Sequence, residues 1–202
     1  MLENKLGIDD SLELRKQEEK LTKLKAKKLF DSGFINNIEV GTYNGLKTIH
    51  QYLFEDIYYF TGKMRDVNIA KHNFRFAPVM FLENSLTFID KMPQNTFDEI
   101  IDKYVEMNIA HPFREGNGRT MRIWLDLILK KQLAQVVDWS KVDKEDYLLA
   151  MQRSPIRTIE IKHVLREALT DDINNRNIYM KGIDYSYYYE GYTEFNIGDL
   201  ND

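Results

Sequence analysis

Cysteine is absent from the 202 residues. That excludes a disulfide framework, a thiolate zinc site and a cysteine nucleophile, and it suits a reducing, cytoplasmic setting. Long apolar runs are missing too. Stretches such as Ile123-Trp-Leu and Leu127-Ile-Leu are cut by charges, well short of the roughly 18 residues that span a bilayer. No membrane partner is expected, and Met1-Leu-Glu-Asn-Lys opens on polar residues rather than on a signal peptide. An excess of basic charge is also lacking. With 28 Lys and Arg against 32 Asp and Glu, the net charge is -4, so no broad surface for direct nucleic-acid binding is expected and any phosphate site must be local. Nowhere does the pattern Gly-x-x-x-x-Gly-Lys-Ser/Thr occur, which excludes a P-loop. There is no Pro/Gly/Ser linker, low-complexity tract or repeat. One domain over 1–202 is the simplest organisation, large enough to bury roughly 70% of its extended-chain surface.

What is present reads as helix. Leu12, Gln17, Leu21, Leu24 and Leu29 carry a helical rhythm that ends near Asp31-Ser-Gly33, and a second helix is expected from Thr42 to Tyr58. Val67 to Phe76 reads as a short hairpin with Asn73 tolerating a positive φ. Periodicity resumes after Pro78, then from Phe97 to Ala110, where Pro112 stops it. Further helices are expected from Gly118 to Leu133, Trp139 to Met151 and Ile156 to Leu169. The Tyr-rich tail, 184–192, supplies a last short helix. The fold class is mostly α with one β-hairpin.

The chemistry concentrates in His111-Pro-Phe-Arg-Glu-Gly-Asn-Gly-Arg-Thr-Met-Arg122. Pro112 leaves His111 at a helix exit. Gly116 and Gly118 permit backbone angles that turn N–H groups inward, just where a helix N-terminus favours an anion. Arg119 and Arg122 lie three apart, on one helix face. Such an inventory suits a polyphosphate. Glu115 would repel phosphates unless a divalent cation lay between, and Mg²⁺ needs only one or two carboxylates beside phosphate oxygens. His111 is the neighbouring group whose ordinary pKa suits proton uptake at neutral pH. Each piece also has a plainer use: a helix-end histidine as a cap, Gly-Asn-Gly as a turn, paired arginines as a solvated face. A zinc pair from His111 and Glu115 fits i,i+4 spacing, but Pro112 and Gly116 interrupt the helix it needs.

This stretch resembles the signature of the Fic family, His-Pro-Phe-x-Asp/Glu-Gly-Asn-Gly-Arg-x-x-Arg, at every fixed position. Phe60-Thr-Gly-Lys-Met-Arg65 and Asn73-Phe-Arg-Phe-Ala-Pro78 are similar to the family's flap, and Leu53-Phe-Glu-Asp-Ile-Tyr58 also fits, so the likeness covers most of 40–135. Ser186-Tyr-Tyr-Tyr-Glu190-Gly191 resembles the family's inhibitory motif, here C-terminal, as in small members that carry their own inhibitory helix. The resemblance implies a helical Fic fold and transfer of AMP from ATP to a Tyr, Thr or Ser hydroxyl of a target protein. It casts His111 as the base, Glu115 as the Mg²⁺ ligand, Gly116, Asn117, Gly118 and Arg119 as the cradle for developing phosphate charge, and Arg122 as the γ-phosphate partner. The flap would hold the target by strand addition, and Glu190 with Ser186 would occupy Arg122 as a brake. Alternatives are hydrolytic removal of AMP through Glu190, transfer of another nucleotide or phosphoryl group, and a nucleotide-binding module without catalysis. Homo-oligomerisation stays open.

Overall fold

Five of the eight described α-helices start behind a side chain that takes a first-turn amide. The computed structural model describes residues 2–71 and 74–201. Asp10 accepts from Glu13 N at 2.7 Å ahead of α1 (Ser11–Asp31), and Thr42 accepts from Gly45 N at 3.1 Å ahead of α2 (Tyr43–Phe54). Such caps typically contribute about 1 kcal/mol each. The short hairpin pairs β1 (Ala70–Lys71) with β2 (Phe74–Arg75), antiparallel, in the register Ala70 to Arg75 and Lys71 to Phe74. α3 (Val79–Lys91) follows Pro78, and α4 (Phe97–Ala110) opens on a capping box between Thr96 and Glu99. Then come α5 (Asn117–Leu133), β3 (Val136–Val137), α6 (Lys144–Arg153), α7 (Ile159–Arg166), β4 (Leu169–Thr170) and α8 (Arg176–Tyr189).

The central helix is α5, packed by α2, α4 and α8. Trp124 and Leu125 are wholly buried on it, with Ile49 and Leu53 from α2 and Ile100 and Tyr104 from α4 in the same core. The indole Nε1–H of Trp124 donates to Thr42 O at 3.0 Å, so this large ring is buried without leaving its one donor unpaired.

Several boundaries depart from the expectations. α2 stops at Phe54 rather than Tyr58, because the amides of Ile57 and Tyr58 both turn back to Phe54 O while Ile57 O accepts from Lys5 N. The helix expected from Trp139 begins only at Lys144: Trp139–Lys141 is a 3-10 turn, and Asp143 caps the new start through Glu145 N and Asp146 N. The next helix is likewise shorter, since Leu169–Thr170 leave it to pair antiparallel with Val136–Val137, a long-range two-stranded sheet too short to show in the pattern. The tail helix is longer than 184–192. It starts at Arg176 behind an Asn175 cap and ends at Tyr189, with Glu190 as its C-cap. Asn73 lies outside the described residues.

The face of α1 differs most. Leu12 is 76% exposed, whereas Glu18, Glu19, Thr22 and Lys23 are buried beside Leu14, Ala26 and Leu29. Ion pairing explains it. Lys23 meets Glu19 at 3.0 Å and Asp184 of α8 at 2.9 Å, and Tyr187 O–H donates to Thr22 Oγ1 at 2.6 Å. Glu19 also accepts from the amides of Glu194 and Phe195. A polar seam therefore binds α1 to α8 and the tail.

Candidate active site

α4 does not fade out at its C-terminus; it ends on His111, whose backbone is left-handed at φ 48° and ψ 64°. A β-carbon makes that region costly, so neighbours must hold it there. Arg65 does so. Its backbone N–H donates to Pro112 O at 2.8 Å, and its buried guanidinium reaches His111 O at 2.7 Å, Ala110 O at 3.1 Å, Val67 O at 2.8 Å and also Ala77 O. One side chain thus caps α4 and ties both ends of the hairpin segment to it.

The His111 ring stacks on Phe76 at 3.6 Å between centroids. Its Nδ1–H donates to Asn108 O at 3.2 Å, since a carbonyl can only accept, and this leaves Nε2 with the lone pair. Burial pushes its pKa down to about 3, so the ring is neutral at physiological pH.

A second histidine shapes the loop that follows. His50 on α2 is wholly buried and stacks on Phe113 at 3.8 Å. Its Nδ1 accepts from Gly62 N at 2.9 Å, and its Nε2–H donates to Glu115 O at 3.0 Å. Burial lowers its pKa to about 4, which keeps this neutral tautomer. Asn117 closes the same loop, accepting from Phe113 N at 2.9 Å and donating to Phe113 O at 2.7 Å. The Asn117 side chain is therefore spent on the loop, and only its amide is left for a ligand. Gly116 is left-handed at φ 76°, and a Cβ there would meet the Phe54 ring at 2.4 Å. From this turn α5 starts at Asn117, so the amides of Asn117, Gly118 and Arg119 lie in a first turn that has no preceding helical carbonyl to bond.

The two motif arginines are buried and diverge. Arg119 pairs with Glu18 at 2.7 Å and with Glu115 at 3.1 Å. Glu18 also accepts from Tyr192 O–H at 2.6 Å and from Tyr58 O–H. Burial alone would raise the Glu18 pKa, but the Arg119 charge and these donors outweigh it and hold the carboxyl low. Arg122 instead donates from Nε to Ser186 Oγ at 2.6 Å and from Nη2 to Ser186 O at 2.8 Å and Glu190 Oε1 at 3.0 Å. Glu190 Oε2 takes Lys71 of β1 at 3.0 Å. Although burial raises the pKa of Glu190, Arg122 and Lys71 bring it down to about 2. Its carboxylate lies against the α5 N-terminus: a Cβ on Gly118 would stand 2.3 Å from Glu190 Oε1. A resident anion thus sits where the helix favours one.

His111, Glu115, Gly116, Asn117, Gly118, Arg119, Arg122 and Glu190 all line one cavity of about 870 Å³, closed on one side by Ala70, Lys71, Phe74 and Phe76 of the hairpin segment. Ser186 stands behind Arg122. Glu115 Oε1 is engaged by Gly116 N and Arg119, and its other oxygen has no partner among the described residues. No group of three or more acidic or histidine side chains that could hold a metal occurs among the described residues. Arg65, His50 and Glu18 were not singled out from sequence. His50 and Glu18 read there as ordinary members of helical segments.

No helix is long and apolar enough to cross a membrane among the described residues. Residues 41–129 match the Fic/DOC family model. The protein adenylyltransferase VbhT of Bartonella schoenbuchensis is 30% identical over 189 residues, covering 87% of this chain, which spans 38% of that relative's length. A probable protein adenylyltransferase, y4lH of Sinorhizobium fredii, is 28% identical over 166 residues, 76% of this chain and 83% of the relative. The crystal structure of BepC from Bartonella tribocorum with bound AMPPNP superposes with a TM-score of 0.67 at 18% identity, covering 84% of this chain and 92% of that one, a likeness of fold. A complete signature on an α4–loop–α5 frame, a family-model match over residues 41–129 and a shared fold all point the same way: the Fic/DOC family is the one this chain resembles.

Proposed function

We propose that this protein is a protein adenylyltransferase, moving AMP from ATP to a hydroxyl of a target protein, and that Glu190 restrains it. The observation that carries the reading is convergence: the free Nε2 of a neutral His111, the α5 N-terminus and Arg122 belong to one cavity of nucleotide size. The names of the adenylyltransferase relatives support the same chemistry.

In this scheme the target hydroxyl gives its proton to His111 Nε2 as its oxygen bonds the α-phosphorus. The bond from that phosphorus to the α–β bridging oxygen breaks, and pyrophosphate leaves. The amides of Asn117, Gly118 and Arg119 stabilise the charge that develops on the phosphoryl oxygens. Arg119, bound to Glu18 and Glu115, acts by orienting Glu115 rather than by reaching solvent. Arg122, once freed from Glu190, takes the γ-phosphate. The free oxygen of Glu115 fits Mg²⁺ held mainly by nucleotide phosphates, and a bound ion would supply positive charge there. The amide edge of the hairpin segment, Val67 to Phe76, would align the target.

The brake rests on competition. Glu190 occupies Arg122 and the α5 N-terminus together, and Ser186 holds the same guanidinium. All these contacts are made within one chain. Because Glu190 shares the cavity with His111, a second reading, removal of AMP by water activated at Glu190, is favoured by the same geometry. The test uses Glu190→Gly protein with a cell lysate and ATP labelled at either the α- or the γ-phosphate. Label reaching protein from the α position only supports the proposal. Label from γ only would replace it with phosphoryl transfer. Wild-type protein releasing AMP from pre-modified target would establish the second reading.

A further inference from the structure

Behind the α5–α8 contact lies a separate cavity of about 150 Å³, walled by Ile35, Leu127, Val136, Ile178 and Ile183 and reaching Ser186 and Arg122 at its inner end. Among the described residues Arg122 alone lines both this space and the active-site cavity, so it lies between them. A space of this size, with an aliphatic patch along its wall, accommodates a molecule of about six to eight heavy atoms, as benzene-sized cavities do.

Polar and aromatic side chains complete the lining, and one of them stands out. Asp126, one turn beyond Arg122 on α5, faces this cavity, and its carboxylate accepts only from neutral donors: Val137 N at 2.9 Å and Trp139 Nε1 at 2.8 Å. No ion pair to it occurs among the described residues. The other charged groups of the lining are already engaged: Arg122 by Glu190, Lys130 by Asn174 at 2.9 Å, and Asp172 by Asn175 at 2.6 Å. A sheltered carboxylate without a counter-cation is costly, and burial raises its pKa to about 7. Each of its oxygens has a second lone pair to offer.

We infer that this cavity is a second ligand site, for a compact primary amine with an apolar body, whose ammonium group pairs with Asp126. The aliphatic patch of Ile35, Leu127, Val136, Ile178 and Ile183 takes the body, and the ammonium supplies a positive charge to Asp126. The ligand would touch α5 and α8 together, next to the arginine that joins them.

Benzylamine is the probe, with toluene as its uncharged counterpart and benzoate as the opposite charge, titrated calorimetrically into the full chain at pH 8. Benzylamine should bind at least tenfold more tightly than toluene, and benzoate not at all. Asp126→Asn, which keeps an acceptor for one neighbouring donor, should erase the tenfold preference. Ile178→Trp, which fills the space and keeps the carboxylate, should abolish binding of both, and it preserves the test if the asparagine variant fails to fold. Below pH 6 the preference should shrink as Asp126 takes a proton. Equal affinity for benzylamine and toluene, no binding by either, or benzylamine binding that survives Ile178→Trp would overturn the inference. None of these readouts depends on catalytic activity, so they stand or fall apart from the proposed transfer reaction.

Discussion

At the scale of single residues, His111 has two distinct jobs, and they can be separated. Its backbone is held left-handed by Arg65, while its ring stacks on Phe76 and keeps Nε2 unprotonated. Alanine removes the ring and leaves the Arg65 bonds to main-chain oxygens. His111→Ala in an enzyme freed of Glu190 should therefore lose about 10²–10⁴-fold in transfer and keep its ATP affinity, measured by calorimetry. Retention of more than a tenth of the rate would remove His111 from proton transfer. The pH profile follows from burial. Only the neutral ring accepts a proton, and its pKa is lowered to about 3, so kcat/KM should stay flat down to about pH 5 instead of falling below 6.5. These two roles show what sequence does and does not carry. The motif residues from His111 to Arg122 could be read as a phosphate site because glycines, arginines and a helix start have local meanings. Arg65 could not be weighted in the same way, since its partners are carbonyls of Ala77, Ala110 and His111 that only the fold brings together.

Among the elements, α1 and the hairpin make the strongest claims on the site. The apolar rhythm of α1 pointed to Leu12, yet the buried face carries Glu18, Glu19 and Lys23. Hydropathy cannot signal a face whose burial depends on partners in α5, α8 and the tail. Glu18→Gln tests that seam. It leaves Arg119 buried with Glu115 as its remaining carboxylate, and breaking such a pair typically costs about 3–5 kcal/mol. Urea unfolding should show a loss of that order; an unchanged midpoint would demote the seam to ornament. The hairpin supports a different expectation. Antiparallel alternation, with Phe76 N bonded to Ile69 O, leaves the Ala70 amide on the outer edge beside the cavity. Ala70→Pro should remove one docking bond and weaken transfer to an outside protein while ATP affinity holds. Equal loss of both, or of neither, would contradict strand addition. The pairing of β3 with β4, which no turn joins because α6 and α7 lie between them, and the true start of α8 were invisible to periodicity. Two-residue strands have no period, and an Asn cap at 175 looks like any polar loop residue.

For the molecule as a whole, two buried neutral histidines predict sensitivity to acid. His50 and His111 have folded pKa values of about 4 and about 3, against 6.5 when exposed. Below pH 6.5 the unfolded chain takes up two protons that the folded one refuses, so their contribution is intact above 6.5 and drains away towards pH 4 and 3. Linkage puts the loss between pH 7 and pH 5 at roughly 3–4 kcal/mol, readable by urea unfolding, and His50→Phe should remove about half of it. Glu190 responds differently. With a pKa of about 2, it stays ionised through this range, so acid down to pH 4 should not release Arg122. Release of the proposed brake therefore requires movement of the side chain or the helix. Arg15, which donates to the carbonyls of Glu190 at 3.1 Å and Gly191 at 2.7 Å, together with the α1 seam, opposes movement of the helix. The most direct measurement is incorporation of α-labelled AMP into protein by wild type, Glu190→Gly and Glu190→Gly/His111→Ala at equal concentration. Glu190→Gly frees Arg122 and the α5 N-terminus from the proposed restraint, for which even about 2.8 kcal/mol corresponds to a hundredfold. Glu190→Gly should therefore exceed wild type by that order, with the double variant silent. Transfer by Glu190→Gly no greater than by wild type would contradict the restraint, and label incorporated by the double variant would contradict the catalytic role of His111.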